Sequence, residues 1–114
     1  MLKSKIHRAT VTGADVDYVG SISLDPDLMK RADILPYEQV QVLDIDNGAR
    51  LETYAIAGEP GEVTMNGAAA HLVAVGDRVI VLTYADVDDA ELDGWQPAVV
   101  HVDAHNAALD LPPR

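Results

Sequence analysis

The pair Gly20-Ser21, inside the run YVGSISLD at residues 18–25, could do chemistry on its own backbone. A serine hydroxyl can attack the carbonyl of the residue before it and turn that amide into an ester. Glycine in front leaves the carbonyl unshielded and lets the backbone take a strained conformation that other residues resist. Elimination from the ester leaves a dehydroalanine. Hydrolysis converts that to a pyruvoyl group at a new N-terminus, so the chain would make its own carbonyl cofactor. The plainer reading is a bulge or bend in a strand, with the serine an incidental neighbour.

The elements that would position such a junction are mostly strands. Ile6 to Val11 alternate in polarity and include β-branched residues, which predicts a strand with Lys5, His7 and Ala9 on one parity. A turn is expected at Thr12 to Asp15, followed by extended chain to about Leu24. Asp25 then offers an N-cap and Pro26 a first helical residue, with Asp27 early and Lys30 and Arg31 late, so a short helix is expected before Pro36. Val40 to Asp46, Asn47-Gly48 and Arg50 to Ala57 predict a β-hairpin, because Asn-Gly tolerates the positive φ angles of a tight two-residue turn. Val63 to Asn66, Arg78 to Tyr84 and Pro97 to Asp103 read as further strands, ahead of a loose tail ending in Leu-Pro-Pro-Arg. Many short strands with one convincing helix indicate a mainly β protein, a small β-barrel that closes its own edges.

Composition narrows the partners. With 114 residues the chain suits one domain, and a core this small would gain burial from association. Nineteen acidic against eight basic residues give a formal charge of -11, which argues against nucleic acid and against an anionic membrane surface. Five of the bases, Lys3, Lys5, Arg8, Lys30 and Arg31, fall in the first third. The absence of cysteine excludes disulfides and thiolate metal sites. MLKSKIHRAT lacks the apolar run of a signal peptide, and a cytoplasmic protein is the expectation.

Four stretches in order, KSKIHRATVTGADVDYVGS, DIDNGARLETYAIAGE, NGAAAHL and VGDRVIVLTYA, resemble the pyruvoyl-dependent aspartate 1-decarboxylases across about Met1 to Tyr84. The resemblance implies a double-psi β-barrel with one or two short helices. It implies a homotetramer with active sites between subunits, conversion of L-aspartate to β-alanine and carbon dioxide, and a place in pantothenate and coenzyme A synthesis. It also implies cleavage between Gly20 and Ser21, giving a β chain of residues 1–20 and an α chain of residues 21–114 that starts with the pyruvoyl group. A separate maturation factor is a partner that the resemblance leaves open.

The same resemblance assigns roles. Ser21 becomes the pyruvoyl group, which condenses with the substrate amine as a Schiff base and draws off the electrons released with carbon dioxide. Tyr54 matches the proton donor; a phenol with an ordinary pKa of about 10 stays protonated at neutral pH. Lys5 and Arg50 match bases of the substrate pocket, and a dicarboxylate entering an acidic protein requires such cations. Arg50 offers a planar fork, Lys5 a point charge. Thr53 matches a residue of self-processing and substrate contact, which would bond the Gly20 carbonyl as charge develops on it. Neighbours on a strand face opposite ways, however, so Thr53 and Tyr54 can serve one site only if the strand bends or ends there or if two subunits contribute. Asn66, Gly67, Ala68 and Ala69 match a small-residue loop whose amides approach an anion, although the run could equally be a short helical turn. His7 and Tyr18 fall on positions near the pocket. Asp17 departs from the family, where histidine often stands, and adds negative charge beside the junction.

Other signals carry less. His101 and His105 have ligand spacing in a segment that reads as extended, and Asp44-Ile45-Asp46-Asn47-Gly48 starts like a calcium loop but has its glycine too early and Ala55 where the closing glutamate belongs. No metal is expected. The alternatives to the decarboxylase are a non-catalytic β-barrel serving as a binding or assembly module, and a pyruvoyl enzyme for another amino acid.

Overall fold

The structure, a computed structural model, describes residues 1–112. In chain order it contains β1 (Leu2–Thr10), β2 (Gly13–Asp15), β3 (Ser21–Leu24), helix α1 (Pro26–Ala32), β4 (Gln39–Asp44), β5 (Arg50–Ala57), β6 (Val63–Asn66), a 3-10 helix (Gly67–Leu72), β7 (Arg78–Tyr84), a 3-10 turn (Asp89–Glu91), β8 (Ala98–Val102) and β9 (Ala108–Leu109). The mainly β class expected from the sequence is what forms. Among the described residues no helix is long and apolar enough to cross a membrane.

The nine strands form one sheet in the order β2-β6-β3-β5-β4-β7-β1-β8-β9. β1 and β2 are one pass of chain, interrupted only at Val11 and Thr12. The Thr12 amide donates to the Val63 carbonyl at 2.8 Å, and the Val63 amide returns to Thr12 Oγ1 at 2.9 Å. This joins the end of β1 to β6, so the sheet curls round into a small β-barrel and the strands from β6 to β1 lose their open edges. Ile6, Ile22, Leu24, Val40, Val42, Met65, Val79 and Val81 fill the interior and are all but sealed from solvent.

Three local expectations need correction. Gly13 to Asp15 is not a turn, because it pairs in parallel with Thr64 to Asn66. Ala9 does not share the face of Lys5 and His7. Arg8 has a φ of 69° at a register shift against β7, and this bulge swings Ala9 into the core while His7 stays half-exposed. The hairpin of β4 and β5 forms, but not through a two-residue turn. β4 stops at Asp44, whose carboxylate accepts the amides of Asp46 and Asn47, and only Gly48 takes a positive φ, at 77°.

The short helix follows its sequence signals, with Asp25 accepting the Asp27 amide at 2.8 Å and Asp33 closing it in the left-handed conformation. The tail is tied down as far as β9, which pairs with β8; Pro113 and Arg114 lie outside the described residues. Asn106, buried and at a φ of 64°, fastens this end to the barrel. Its Oδ1 accepts the Thr10 amide at 2.7 Å, and its Nδ2 donates to the carbonyls of Thr10 and Gly61, both at 2.9 Å. Asn106→Ala removes three hydrogen bonds and strands buried polar groups, so it is expected to cost about 2–4 kcal/mol, read as a lower urea midpoint.

Candidate active site

The chain passes from solvent into the core at the Gly20–Ser21 junction. Val16, Tyr18 and Val19 are exposed, whereas Ser21 is 1% exposed and Ile22 is sealed. Ser21 has a φ of 110°, a region that side-chain-bearing residues rarely occupy and that costs of the order of 1–3 kcal/mol. The strain therefore sits on the serine, whereas the sequence reading assigned the unusual backbone to Gly20. Nor is the pair a bulge, because Ser21 to Leu24 pair with Asn66 to Val63 without a register shift.

Two neighbours hold this geometry. Asn66 Nδ2 donates to Ser21 Oγ at 3.1 Å and to Ser23 Oγ at 3.0 Å, which fixes the hydroxyl in a buried setting. Gly67, at a φ of 69°, brings its backbone against the junction. A Cβ there would lie 2.9 Å from Gly20 Cα, 3.0 Å from Gly20 N and 3.2 Å from the Tyr18 carbonyl oxygen. The helical reading of the small-residue run also holds, since Gly67, Ala68 and Ala69 open the 3-10 helix directly after β6. Glycine is required here because any side chain would collide with backbone rather than with a movable side chain.

β3 runs parallel to β5 with Ile22 opposite Ala55, so Ser21 and Tyr54 each stand one residue before the first paired position on adjoining strands. The Tyr54 ring lies tilted against Tyr37, with centroids 6.2 Å apart, a neighbour that the sequence reading missed. β5 continues unbroken to Ala57, so Thr53 and Tyr54 face opposite sides of one strand. Thr53 lies opposite the core residue Val40, and among the described residues its side chain makes no hydrogen bond to Gly20.

The remaining predicted residues lie elsewhere. Arg50 starts β5, about 13 Å along the strand from Tyr54 at 3.3 Å per residue. It heads a row across the sheet that runs Arg50, Leu43, Ile80, His7, His101. The next row on that face is Glu52, Gln41, Leu82, Lys5, Val99. Lys5 and Arg50 thus share one outer face, with three strands between β1 and β3. Among the described residues neither makes an ion pair, a property they share with Arg8 and Lys30. A cavity of about 390 Å³ lies on the same face, but Glu38 and Glu52 line it and would repel a dicarboxylate. One chain therefore gathers Gly20, Ser21, Asn66 and Gly67, with Tyr54 on the adjoining strand and Tyr18 placing its carbonyl near Gly67 while the residue is half in solvent. It does not bring Lys5, His7 or Arg50 to them.

His7 and His101 meet edge to face with ring centroids 5.4 Å apart, and His7 Nδ1 and His101 Nε2 are buried without partners. The sequence treated His101 only as a metal ligand; its register with His7 becomes visible once β1 and β8 pair in parallel. Burial first, then Lys5, His101 and Arg8, holds the His7 pKa below its ordinary value. The folded state thus binds fewer protons than the unfolded one as pH falls through the ordinary range near 6.5, so stability present at neutral pH is lost on acidification. His7→Gln is expected to flatten that part of a melting-temperature profile. Gly67→Ala is expected to lower the melting temperature, because left-handed backbone costs a residue with a Cβ about 1–2 kcal/mol before the collision with Gly20 is counted.

The junction thus combines a strained, buried serine behind a glycine with a hydroxyl-holding asparagine and, on the adjoining strand, a tyrosine. The model of the aspartate decarboxylase family matches residues 1–109, and the chain belongs to that family.

Proposed function

We propose that this chain cuts itself between Gly20 and Ser21 and, with the pyruvoyl group so formed, converts L-aspartate to β-alanine and carbon dioxide for pantothenate synthesis. The observation that carries the reading is Ser21 itself: buried, strained at a φ of 110° and held at its hydroxyl by Asn66, in a member of the aspartate decarboxylase family. Ser21 Oγ attacks the Gly20 carbonyl carbon, the Gly20–Ser21 C–N bond breaks, and an ester with a free Ser21 amine results. β-Elimination returns Gly20 as a carboxylate and leaves Ser21 as dehydroalanine; water then replaces its nitrogen, which departs as ammonia. Strain in the starting backbone is relieved along this path, which favours the forward direction.

The pyruvoyl carbonyl supplies the electron sink for decarboxylation when it is present. The chain's residues supply the rest. Arg50 and Lys5 provide the cations for a dicarboxylate, Tyr54 holds the proton to be returned to Cα, and after the close-packed Gly67 the short side chains of Ala68 and Ala69 leave room for the substrate.

The separation of Arg50 and Lys5 from Ser21 along the sheet supports a homotetramer in which one subunit's cations face another's junction. The outer face bearing Lys5 and Arg50 also carries half-buried Leu43, Ile80 and Val99, apolar surface that a second copy would cover. The reading places the protein in the cytoplasm.

Intact-mass measurement tests the first claim. Wild-type protein is expected as residues 1–20 and residues 21–114, the latter without an N-terminal amine, and Ser21→Ala as one intact, inactive chain. An intact, active wild type would overturn the reading. Co-expression tests the second: Ser21→Ala and Arg50→Ala are each inactive alone, yet mixed tetramers are expected to recover roughly a quarter of wild-type activity by random pairing across heterologous contacts. No recovery would mean that Ser21 and Arg50 act within one chain.

A further inference from the structure

At the end of β4 the fold assembles three carboxylates that are far apart in function from Ser21. Asp44 is 3% exposed. Its Oδ1 accepts the amides of Asp46 at 2.8 Å and Asn47 at 3.1 Å, but its Oδ2 is buried and has no hydrogen-bond partner among the described residues. Asp46 comes from the same turn, and Asp77 from the turn that leads into β7. Each of the three sets a carboxylate oxygen within 4.8 Å of the other two. Charges this close, with one member out of water, are costly unless something positive is shared between them.

The protein supplies only part of that charge. Arg78 Nη2 lies 3.1 Å from Asp46 Oδ1 and its amide donates to Asp46 Oδ2 at 2.6 Å, so Arg78 answers Asp46 and leaves the Asp44 oxygen bare. Asp77 Oδ2 accepts the Ala74 amide at 3.0 Å. Three carboxylates against one guanidinium leave a formal charge of two negatives, the complement of a divalent ion.

We propose that Asp44, Asp46 and Asp77 bind a hard divalent cation, for which calcium is the probe. The donors are all carboxylate oxygens, the set that suits calcium or magnesium rather than zinc or copper. Nearby carbonyls already accept amides: Asp44 from Gly48, Ala74 from Asp77, Asp77 from Val11 and Arg78 from Ile45. Water must therefore complete the coordination, which puts the affinity at the weak end for calcium sites, about 10⁻⁴–10⁻³ M. The bound ion would fasten the β4–β5 turn, which leads directly into Arg50, to the start of β7. Burial, followed by the neighbouring Asp77 carboxyl, pushes Asp44 above the usual carboxylate range, so the competing occupant is a proton.

The sequence reading set the Asp44 loop aside because its closing ligand was missing. The fold brings Asp77 from 33 residues later to the same place. This inference does not rest on the chemistry at Ser21.

The test is a calcium titration of the full chain at neutral pH, followed by amide NMR, with sodium chloride at matched ionic strength as the control. Saturable shifts are expected at the amides that donate to these carboxylates, those of Asp46, Asn47, Ala74 and Arg78. The melting temperature is expected to rise with calcium and not with sodium. Asp77→Asn is expected to weaken binding at least about tenfold, as loss of one charged ligand does. Asp46→Asn, at the exposed member, provides the same reading if Asp77→Asn does not fold. Absence of saturable shifts at millimolar calcium, equal shifts in the variants, or a response to acidification alone would overturn the proposal, the last by assigning the place to a shared proton.

Discussion

A serine held where serine backbones rarely go organises the centre of this molecule. Ser21 begins a strand that is bonded on both flanks, antiparallel to β6 and parallel to β5, so its neighbours dictate its conformation. The ladder through Ile22, Ser23 and Leu24 maintains a φ of 110° that an isolated peptide would relax. Gly67 completes the constraint. The Gly20 backbone lies where a Cβ on Gly67 would have stood, so chain rather than side chain walls the junction. The strained bond and the groups around it are a single packing unit, and none can change alone.

Charge is arranged with similar economy. In a chain with a formal charge of -11, Lys5 and Arg50 stand on the outside of the sheet, while several acids sit in turns and at helix starts where amides answer them. Asp25 and Asp44 each accept backbone amides, and Asp103 is held below the usual carboxylate range by the amides of Ala107 and His105. The acids therefore serve as loop fasteners, which leaves Lys5 and Arg50 uncommitted on a face of mixed polarity. For a family that acts on aspartate, uncommitted positive charge is the scarce resource.

Much of this was legible in the sequence because local physics settled it. Strand β7 and the helix after Asp25 follow from periodicity and capping, and the chemistry of Gly-Ser follows from atom adjacency. Legibility ended where non-local contacts decided. Nothing in the spacing of Lys5, His7 and Ala9 announces the bulge at Arg8 that separates them. The left-handed φ fell on Ser21 rather than on the glycine because pairing with Asn66 fixes Ser21 and leaves Gly20 outside the ladder. Gly67 looked like a permissive member of a small-residue run. Only the fold shows that it faces Gly20 at contact distance, 47 residues away in sequence. The meeting of His7 with His101 depended likewise on which strands pair in parallel.

The position of β1 between β7 and β8, in the body of the sheet, decides what the proposed cut would do to the molecule. A cut after Gly20 would leave the first twenty residues woven into the barrel by three ladders, β1 with β7 and with β8, and β2 with β6. The fragment would stay as an integral rib, and the native molecule would survive as a two-piece assembly. Its return from denaturation would then require an encounter between separate molecules, so recovery would depend on protein concentration in a way that the uncut chain escapes. Folding before the proposed scission would thus be built into the topology: the intact polypeptide would find the shape, and the divided one could only keep it.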